Sequence, residues 1–241
     1  MSLEAYVQSR DWQLVPQGDR TLILQLGSGI DVALGRRCAW LARALRQAGL
    51  PGVTDVVPTF NAVALHFLPQ ADNAGRARLN DTILQVLQGL DFQAEAPDTG
   101  RLIDIPVCYG GDLGPDLQGV AAHCGLTPEE VIALHSRDTV YVFMLGFAPG
   151  APYIGVHDER LAIGRRPTPR TVVPPGSVAI ANRQSVVYPT ASPGGWHIIG
   201  ATPATLFNPQ AERSTLMEPG DSIRFVPIDR EHYEALKGQS A

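Results

Sequence analysis

Three arginines fall close together in a segment that two prolines stiffen. Arg165, Arg166 and Arg170 share this loop with Pro167 and Pro169. A guanidinium group offers planar, paired donors that match a carboxylate, and a stiff loop loses less entropy when a ligand binds. The pattern predicts an anion-binding loop. Surface arginines paired with Asp or Glu would give the same pattern, and this alternative remains open.

Other polar groups are candidates to complete such a site. Asp112 follows two glycines in a loop before a predicted helix, which suits a general base, a ligand of a metal-bound nucleotide, or a simple helix cap. His135 lies near the end of a predicted helix, where the helix dipole favours a partly protonated imidazole. Tyr153, Gln184 and Tyr188, like His135, can hold an amide or a carboxylate by hydrogen bonds.

Gly and Pro occur at short intervals from residue 143 to residue 200, with short β-prone runs between them. This composition predicts tight turns on a β scaffold, where binding groups commonly lie. Phe147, Pro149 and Pro152 belong to a glycine-rich turn that cannot bury all three, so we expect an exposed apolar patch there. Gly150 follows Pro149 and supplies a positive φ angle.

We expect the polar candidates to meet at this turn. Arg170, Gln184 and Tyr188 should converge with residues 146–155 on one side of the β-domain. Trp196 is expected to pack in the barrel rather than to stack on a substrate. His157 and Asp158 are expected to form an exposed loop pair, with a proton shuttle as the alternative.

The elements before residue 92 predict a small α+β (ferredoxin-like) domain, in the order β-β-α-β-β-α. Apolar alternation predicts strands within 11–26, 53–57 and 61–68. A helix is predicted from the cap Asp31 to Gly49, and a second over 73–89. We therefore predict a domain over 1–92 and, where periodicity is lost, a linker over 93–100.

Residues 101–241 are predicted to form a second, β-rich domain. Its first strand is expected over 102–107, followed by two short helices, the second opened by the capping box Thr127 to Glu130. Further strands are expected over 139–145 and 222–226. The polar residues after Pro227 are expected to be frayed.

Composition excludes several classes of function. The 241 residues are 44% hydrophobic and 18% charged, with a formal net charge of −5, which argues against a nucleic-acid partner. No apolar run approaches the ~20 residues that span a bilayer. The start has no apolar signal segment, so a cytoplasmic protein is predicted. Lys237 is the single lysine and no P-loop motif occurs. The cysteine and histidine spacings predict no metal site.

Motifs over most of residues 101–226 resemble the family of the bacterial 5-oxoprolinase B subunit (PxpB), which includes the kinase inhibitor KipI and the small subunit of allophanate-hydrolase-like pairs. They stand in the family's order. The matching residues are Tyr109-Gly110-Gly111-Asp112, Gly114-Pro115-Asp116-Leu117, Leu134-His135-Ser136, Gly146-Phe147-Ala148-Pro149-Gly150, Pro152-Tyr153, Pro169-Arg170, Val173-Pro174, Gly176-Ser177-Val178, Gln184, Tyr188-Pro189, Pro193-Gly194-Gly195-Trp196 and Gly200.

The resemblance implies a cyclophilin-like β-barrel and a role as one subunit of a complex. Its expected partners are the larger C subunit (KipA-like) and the A subunit, and the complex would use ATP to open 5-oxoproline or a related cyclic amide or ureido compound. The ATP site is not located in this chain. Inhibition of a sensor histidine kinase and a urea-carboxylase-type carboxyltransferase role are the alternatives. Ala151, Asn182 and Arg183 depart from the usual motifs and bear on the substrate.

The resemblance also selects residues for the site. Arg170 carries the family match and is the preferred anion ligand. The predicted catalytic residues are Asp112, His135, Arg170, Gln184 and Tyr188. The predicted substrate-binding or interface residues are Phe147, Pro149, Gly150, Tyr153, Arg165, Pro174 and Trp196.

Overall fold

The computed structural model describes residues 7–8, 11–69, 73–92 and 100–239. The chain divides into two compact units, Met1–Asp98 and Thr99–Ala241. Residues 93–99 of the predicted linker lie outside the described residues. Within those described ranges, no helix has both the length and the apolar character needed to cross a bilayer.

The first unit combines one antiparallel sheet with two helices. Its described elements are β1 (Val7–Gln8), β2 (Gln13–Pro16), β3 (Thr21–Gln25), α1 (Val32–Gln47), β4 (Val53–Pro58), β5 (Ala62–Phe67) and α2 (Asn73–Gln88). The strands lie in the order β1-β2-β3-β5-β4, and every neighbouring pair is antiparallel. The predicted β-β-α-β-β-α order is confirmed. The short strand β1 is an addition that the sequence analysis did not predict.

Local signals fix α1 and its buried face. The Asp31 side chain accepts a hydrogen bond from the Leu34 backbone N–H at 3.0 Å, as its capping position predicts. Cys38, Leu41 and Leu45 follow at helical spacing and are buried in the core of this unit, together with apolar side chains of the sheet. The removal of these side chains from water stabilises the unit.

The second unit is a closed barrel with helices packed on it. Its elements are β6 (Leu102–Tyr109), α3 (Leu117–Cys124), α4 (Pro128–Arg137), β7 (Val140–Leu145), β8 (Pro152–Gly155), β9 (Arg170–Val173), β10 (Ser177–Ala181), β11 (Gln184–Val187), β12 (Ser192–Gly194), β13 (His197–Ala201), β14 (Ser222–Pro227) and α5 (Arg230–Gln239). Seven strands close the barrel in the order β10-β11-β8-β7-β14-β6-β13, and β13 pairs back with β10. The α+β class and the barrel are confirmed.

Two strands of this unit stand apart from the barrel. β9 and β12 pair only with each other, as a separate antiparallel two-stranded sheet. Both come from the segment rich in Gly and Pro, where tight turns interrupt regular pairing. Several predicted site residues lie in or next to these two strands, so this small sheet places much of the candidate site.

The expectation of a frayed C-terminus is wrong. Residues after Pro227 form α5, and its Tyr233 is only 4% exposed. Tyr233 is buried with Cys108 and Ala201. Arg230 and Lys237 lie about one helical turn to either side and contact its ring face, at 5.9 and 5.8 Å from the centroid. One buried aromatic residue in a polar segment gives too weak a periodic signal to predict the helix from sequence.

Candidate functional site

The loop after β6 carries Asp112 at the surface. Gly110 and Gly111 take left-handed φ angles of 73° and 57°, which glycine adopts without steric cost. Asp112 Oδ1 accepts a hydrogen bond from Arg230 of α5 at 2.7 Å. This bond lowers the pKa of Asp112 below its usual value, so the carboxylate is ionised at neutral pH. Its role as a base or nucleotide ligand stays a prediction.

Asp116, four residues later, binds two arginines at once. Its Oδ1 accepts hydrogen bonds from Arg166 and Arg170, and its Oδ2 accepts from Arg170 and from the Ile198 backbone N–H, all at 2.7–2.8 Å. Burial acts to raise the pKa of Asp116, but the bonds from Arg170 and Ile198 outweigh it and lower that pKa. Asp116 is therefore an anion that neutralises part of the arginine loop.

This pairing changes what Arg170 can do. Its two terminal nitrogens both donate to Asp116, in the bidentate geometry that we expected for a ligand carboxylate. The contact joins the first residue of β9 to the residue before α3. Arg170 is thus a member of an internal ion pair, and its role as an anion ligand remains a prediction.

A large cavity of about 590 Å³ lies next to β9. Three predicted site residues line it, namely Asp112, Arg170 and Pro174. Much of the remaining wall is apolar, and it includes the exposed side chain of Val172 and the ring of Phe207. A volume in this range is typical of pockets for drug-sized ligands, which occupy about 300–1,000 Å³.

A second, smaller pocket of about 120 Å³ lies beside β12. Residues 193–195, Val186 and five predicted site residues line it, and these five are Phe147, Tyr153, Arg165, Tyr188 and Trp196. We call this pocket the aromatic slot. It is the place where the structure brings together the greatest number of the predicted residues, although Arg170 and Gln184 do not line it.

The turn before β8 supplies the outer wall of the aromatic slot. Phe147 is 69% exposed and has a φ angle of 70°, which is unusual for a residue with a side chain. Gly150 has a φ angle of 77°, and a Cβ atom there would lie 2.9 Å from the Leu206 carbonyl oxygen. Only glycine therefore fits at that position. The predicted exposure of the turn is borne out at Phe147 and Pro149.

Close packing of the segment 193–196 positions the inner wall. A Cβ atom on Gly194 would lie only 2.3 Å from the Tyr188 hydroxyl oxygen, so this glycine leaves room for the buried phenol. Trp196 is 7% exposed, as expected for a packed residue, and the ring of Tyr153 meets it edge-on at 6.3 Å. The Arg165 guanidinium lies over the Trp196 ring, 5.9 Å from its centroid.

His135 belongs to a hydrogen-bonded set that we call the buried polar chain: the partly buried Tyr109 and the buried His135, Ser185 and His157. A hydrogen bond joins the Tyr109 hydroxyl to His135 Nδ1 at 2.7 Å. The Ser185 hydroxyl bonds to His135 Nε2 at 2.9 Å and to His157 Nε2 at 2.7 Å. The two imidazoles stack on each other at 4.7 Å. The Phe225 ring stacks on His135 at 4.2 Å.

Burial decides the charge of both histidines. It lowers the pKa of His157 to about 4 and lowers that of His135 well below its usual value. The expected partial protonation of His135 is therefore wrong, because the loss of water outweighs the helix dipole. The expected exposure of His157 is also wrong, since it is 3% exposed. His135 as a catalytic residue stays a prediction.

Gln184 occupies a third environment. It begins β11, pairs with Gly155 of β8 and is 7% exposed. It therefore adjoins the end of the 146–155 turn but lines neither the aromatic slot nor the large cavity. Across the described ranges, no group of three or more His, Cys, Asp or Glu side chains is arranged to hold a metal ion.

Comparison with known proteins identifies the family. Residues 12–217 match the family described as carboxyltransferase domain, subdomain C and D. The chain is 35% identical to the 5-oxoprolinase B subunit of Bacillus subtilis (strain 168) over 237 residues, which is 95% of this chain and 98% of the relative. The chain belongs to the family of the 5-oxoprolinase B subunit.

A second relative supports this family assignment, and a solved structure shares the fold. The 5-oxoprolinase B subunit of Escherichia coli O157:H7 is 40% identical over 210 residues, covering 87% of this chain and 93% of the relative. The crystal structure of TTHA0988 in space group P6522 superposes with a TM-score of 0.75 and 35% identity over 87% of this chain. This chain spans only 40% of the length of the TTHA0988 polypeptide.

Sequence reasoning did not predict the pairing of Asp116, gave no role to Ser185 and wrongly placed His157 at the surface. Asp116 stands in the Gly-Pro-Asp-Leu motif, but its pairing with two arginines was not predicted. Its two arginine partners come about 50 residues later, with separations of 50 and 54. Ser185 and His157 carry no motif signal. Ser185 bonds to His157 and His135, which lie 28 and 50 residues earlier, so sequence spacing alone could not have found them.

Proposed function

We propose that this chain is the B subunit of an ATP-dependent hydrolase complex that opens the C–N bond of 5-oxoproline or a related cyclic amide. The observation that carries the proposal is the 35% identity with the Bacillus subtilis 5-oxoprolinase B subunit over 98% of that relative. Opening such a ring adds one water across the amide bond and yields an amine and a new carboxylate. ATP hydrolysis would drive this step in the complex.

We propose that another subunit of the complex binds ATP. This sequence has no P-loop motif, and its single lysine, Lys237, lies on the surface helix α5. The proposed partners are a C subunit (KipA-like) and an A subunit. The greater length of the TTHA0988 polypeptide supports a larger working unit, because more than half of that chain has no counterpart here. Since the reaction needs ATP, we propose that the complex works in the cytoplasm.

Reconstitution tests this function. The chain would be purified alone and together with the C and A subunits of the same organism. We expect glutamate release from 5-oxoproline by the assembled complex with ATP, and none from the chain alone or from the complex without ATP. Release of glutamate by the chain alone would overturn its assignment as one part of a larger enzyme. If the fully assembled complex is inactive, 5-oxoproline is not its substrate.

A carboxyltransferase role is the second candidate, because the matched family is described as a carboxyltransferase domain. The same assembled complex would be tested for carboxyl transfer from carboxybiotin to urea or a related ureido compound. Transfer without 5-oxoproline cleavage would favour this candidate. Cleavage of 5-oxoproline without transfer would favour the hydrolase.

A further inference from the structure

The three arginines of the 165–170 loop are not equivalent in the structure. Arg166 and Arg170 both donate to Asp116, whose two carboxylate oxygens already accept four hydrogen bonds. Arg165 has no ion pair with any carboxylate of the described residues, and its guanidinium instead contacts the ring face of Trp196. The guanidinium therefore keeps donors that an incoming anion can use.

We propose that Arg165 and the aromatic slot bind the carboxylate and compact ring of a small substrate, of the class to which 5-oxoproline belongs. This inference rests on the proposed function and locates its substrate site. The slot has a volume of about 120 Å³, much smaller than the cavity of about 590 Å³ next to β9. Its size suits a ligand with few non-hydrogen atoms, since pockets for drug-sized molecules occupy about 300–1,000 Å³.

The walls of the slot fit a ring with one charged substituent. Trp196, Tyr153 and Phe147 offer apolar ring surfaces. Arg165 lies on the Trp196 face, so a carboxylate bound by Arg165 would hold the attached ring close to these aromatic walls. Because the guanidinium lies over the indole ring, its planar fork can receive a carboxylate beside the aromatic walls in a bidentate contact.

Tyr188 supplies a neutral donor in the same slot. Burial raises the pKa of its hydroxyl, which therefore stays protonated at neutral pH. Its own proton can then be donated to a carbonyl or carboxylate oxygen. Gly194 is the residue that permits this placement, because a Cβ atom there would collide with the phenol oxygen.

Phe147 is the outer wall and the strained element. An exposed aromatic side chain at a φ angle of 70° is unfavourable in two respects, since it combines an uncommon backbone conformation with apolar surface in water. Such backbone outliers concentrate at ligand-binding positions. A ligand in the slot would cover part of this ring.

The test uses the assembled complex and a matched pair of variants. Arg165→Gln removes the charge from the slot, and Arg165→Lys keeps the charge but not the planar fork. The control is Arg160→Gln, because Arg160 is also an exposed arginine, but it pairs with Asp158, which keeps Arg137 as a second partner. We expect Arg165→Gln to raise KM for 5-oxoproline roughly 10- to 150-fold, with kcat little changed.

The two other variants should differ from Arg165→Gln. Arg165→Lys is expected to recover part of the lost affinity, and Arg160→Gln should leave KM unchanged. An unchanged KM in Arg165→Gln would show that the aromatic slot does not bind the substrate, and the proposed function would still stand.

A direct binding measurement separates failure of the slot from failure of the function. The Trp196 indole NMR signal of the purified chain, alone and in the complex, would be followed during titration with 5-oxoproline and with 2-pyrrolidinone, the same ring without the carboxylate. We expect a shift with 5-oxoproline that Arg165→Gln abolishes, and a weaker response to 2-pyrrolidinone that does not depend on Arg165. If the complex opens no 5-oxoproline but this shift occurs, only the proposed function fails. If no shift occurs in either preparation, the slot is overturned.

Discussion

The buried polar chain and the aromatic slot both lie in the barrel unit. They differ in how far their side chains are buried and in whether the protein itself supplies their partners. In the buried polar chain, three hydrogen bonds join four side chains, and both imidazoles are kept neutral by burial. In the slot, Arg165 has no described carboxylate partner and Phe147 is 69% exposed. Groups that the protein itself satisfies hold the fold together, whereas groups with spare hydrogen-bonding capacity are available to a ligand.

Ser185→Ala should produce the largest effect, because it breaks the buried polar chain at its centre. Both His135 and His157 would lose the partner of a buried ring nitrogen. Leaving two buried polar atoms unsatisfied should lower the free energy of unfolding by about 2–6 kcal/mol. Urea denaturation measures this change. Ser136→Ala is the control, since Ser136 bonds only to the Ile132 carbonyl one turn earlier in α4 and should change stability by less than about 0.5 kcal/mol.

The pH dependence of stability should reveal the same chain. The folded pKa of His157 is about 4 and that of His135 is also lowered, while unfolded histidines titrate near pH 6.5. The unfolded state therefore binds more protons between these values. The stability that the two histidines provide is complete above pH 6.5 and is lost as pH falls towards 4, by about 1.4 kcal/mol per pH unit for each histidine.

Denaturation at several pH values, compared between wild type and His157→Gln, measures this contribution. The variant should lose about one histidine's share of the slope. His123→Gln changes an exposed histidine of α3 and controls for the substitution itself. An identical slope in wild type and His157→Gln would show that His157 is not held neutral by burial.

Asp116→Asn should give an intermediate effect, because the Asp116 cluster lies between the two regions in exposure. The Asp116 side chain is 10% exposed, while its partners Arg166 and Arg170 are 30% and 25% exposed. Removing the charge should lower the free energy of unfolding by about 1.5–3 kcal/mol. The control Asp104→Asn removes an ion pair in which both side chains are about half exposed, and should cost at most about 1 kcal/mol. Equal losses in the two variants would mean that Asp116 is no more than a surface ion pair.

Arg165→Gln should have the smallest effect on stability. A small effect would show most clearly that the slot, unlike the buried polar chain, does not hold the fold together. Its contact with Trp196 is a single cation–π interaction at an exposed site, which contributes about 0.5–1 kcal/mol. Thermal unfolding should show little change even though substrate binding is weakened. A large drop in the melting temperature would place Arg165 among the structural residues and remove the distinction between the slot and the buried polar chain.

The sequence by itself determined the features that depend on neighbouring residues. Asp31 before an apolar stripe predicted the start of α1, and Thr127 with Glu130 predicted the capping box of α4, which the structure contains. These signals act within one helical turn, so the chain needs no distant partner to express them. The order of elements in the first unit was available from the spacing of apolar residues along each element.

The tertiary structure alone decided which polar side chains have hydrogen-bond or ion-pair partners within the protein. Nothing within the 165–170 loop shows which of its arginines pair with a carboxylate, because the partner is Asp116, 50 or more residues earlier. The sequence predicted His157 as an exposed loop residue, but in the structure it is hydrogen-bonded to Ser185 of β11. Hydrogen bonding and burial between distant segments depend on how the barrel closes, and no local spacing encodes that closure. For this reason the sequence supplied the candidate residues of the site, and only the fold separated those that the protein binds itself from those left for a ligand.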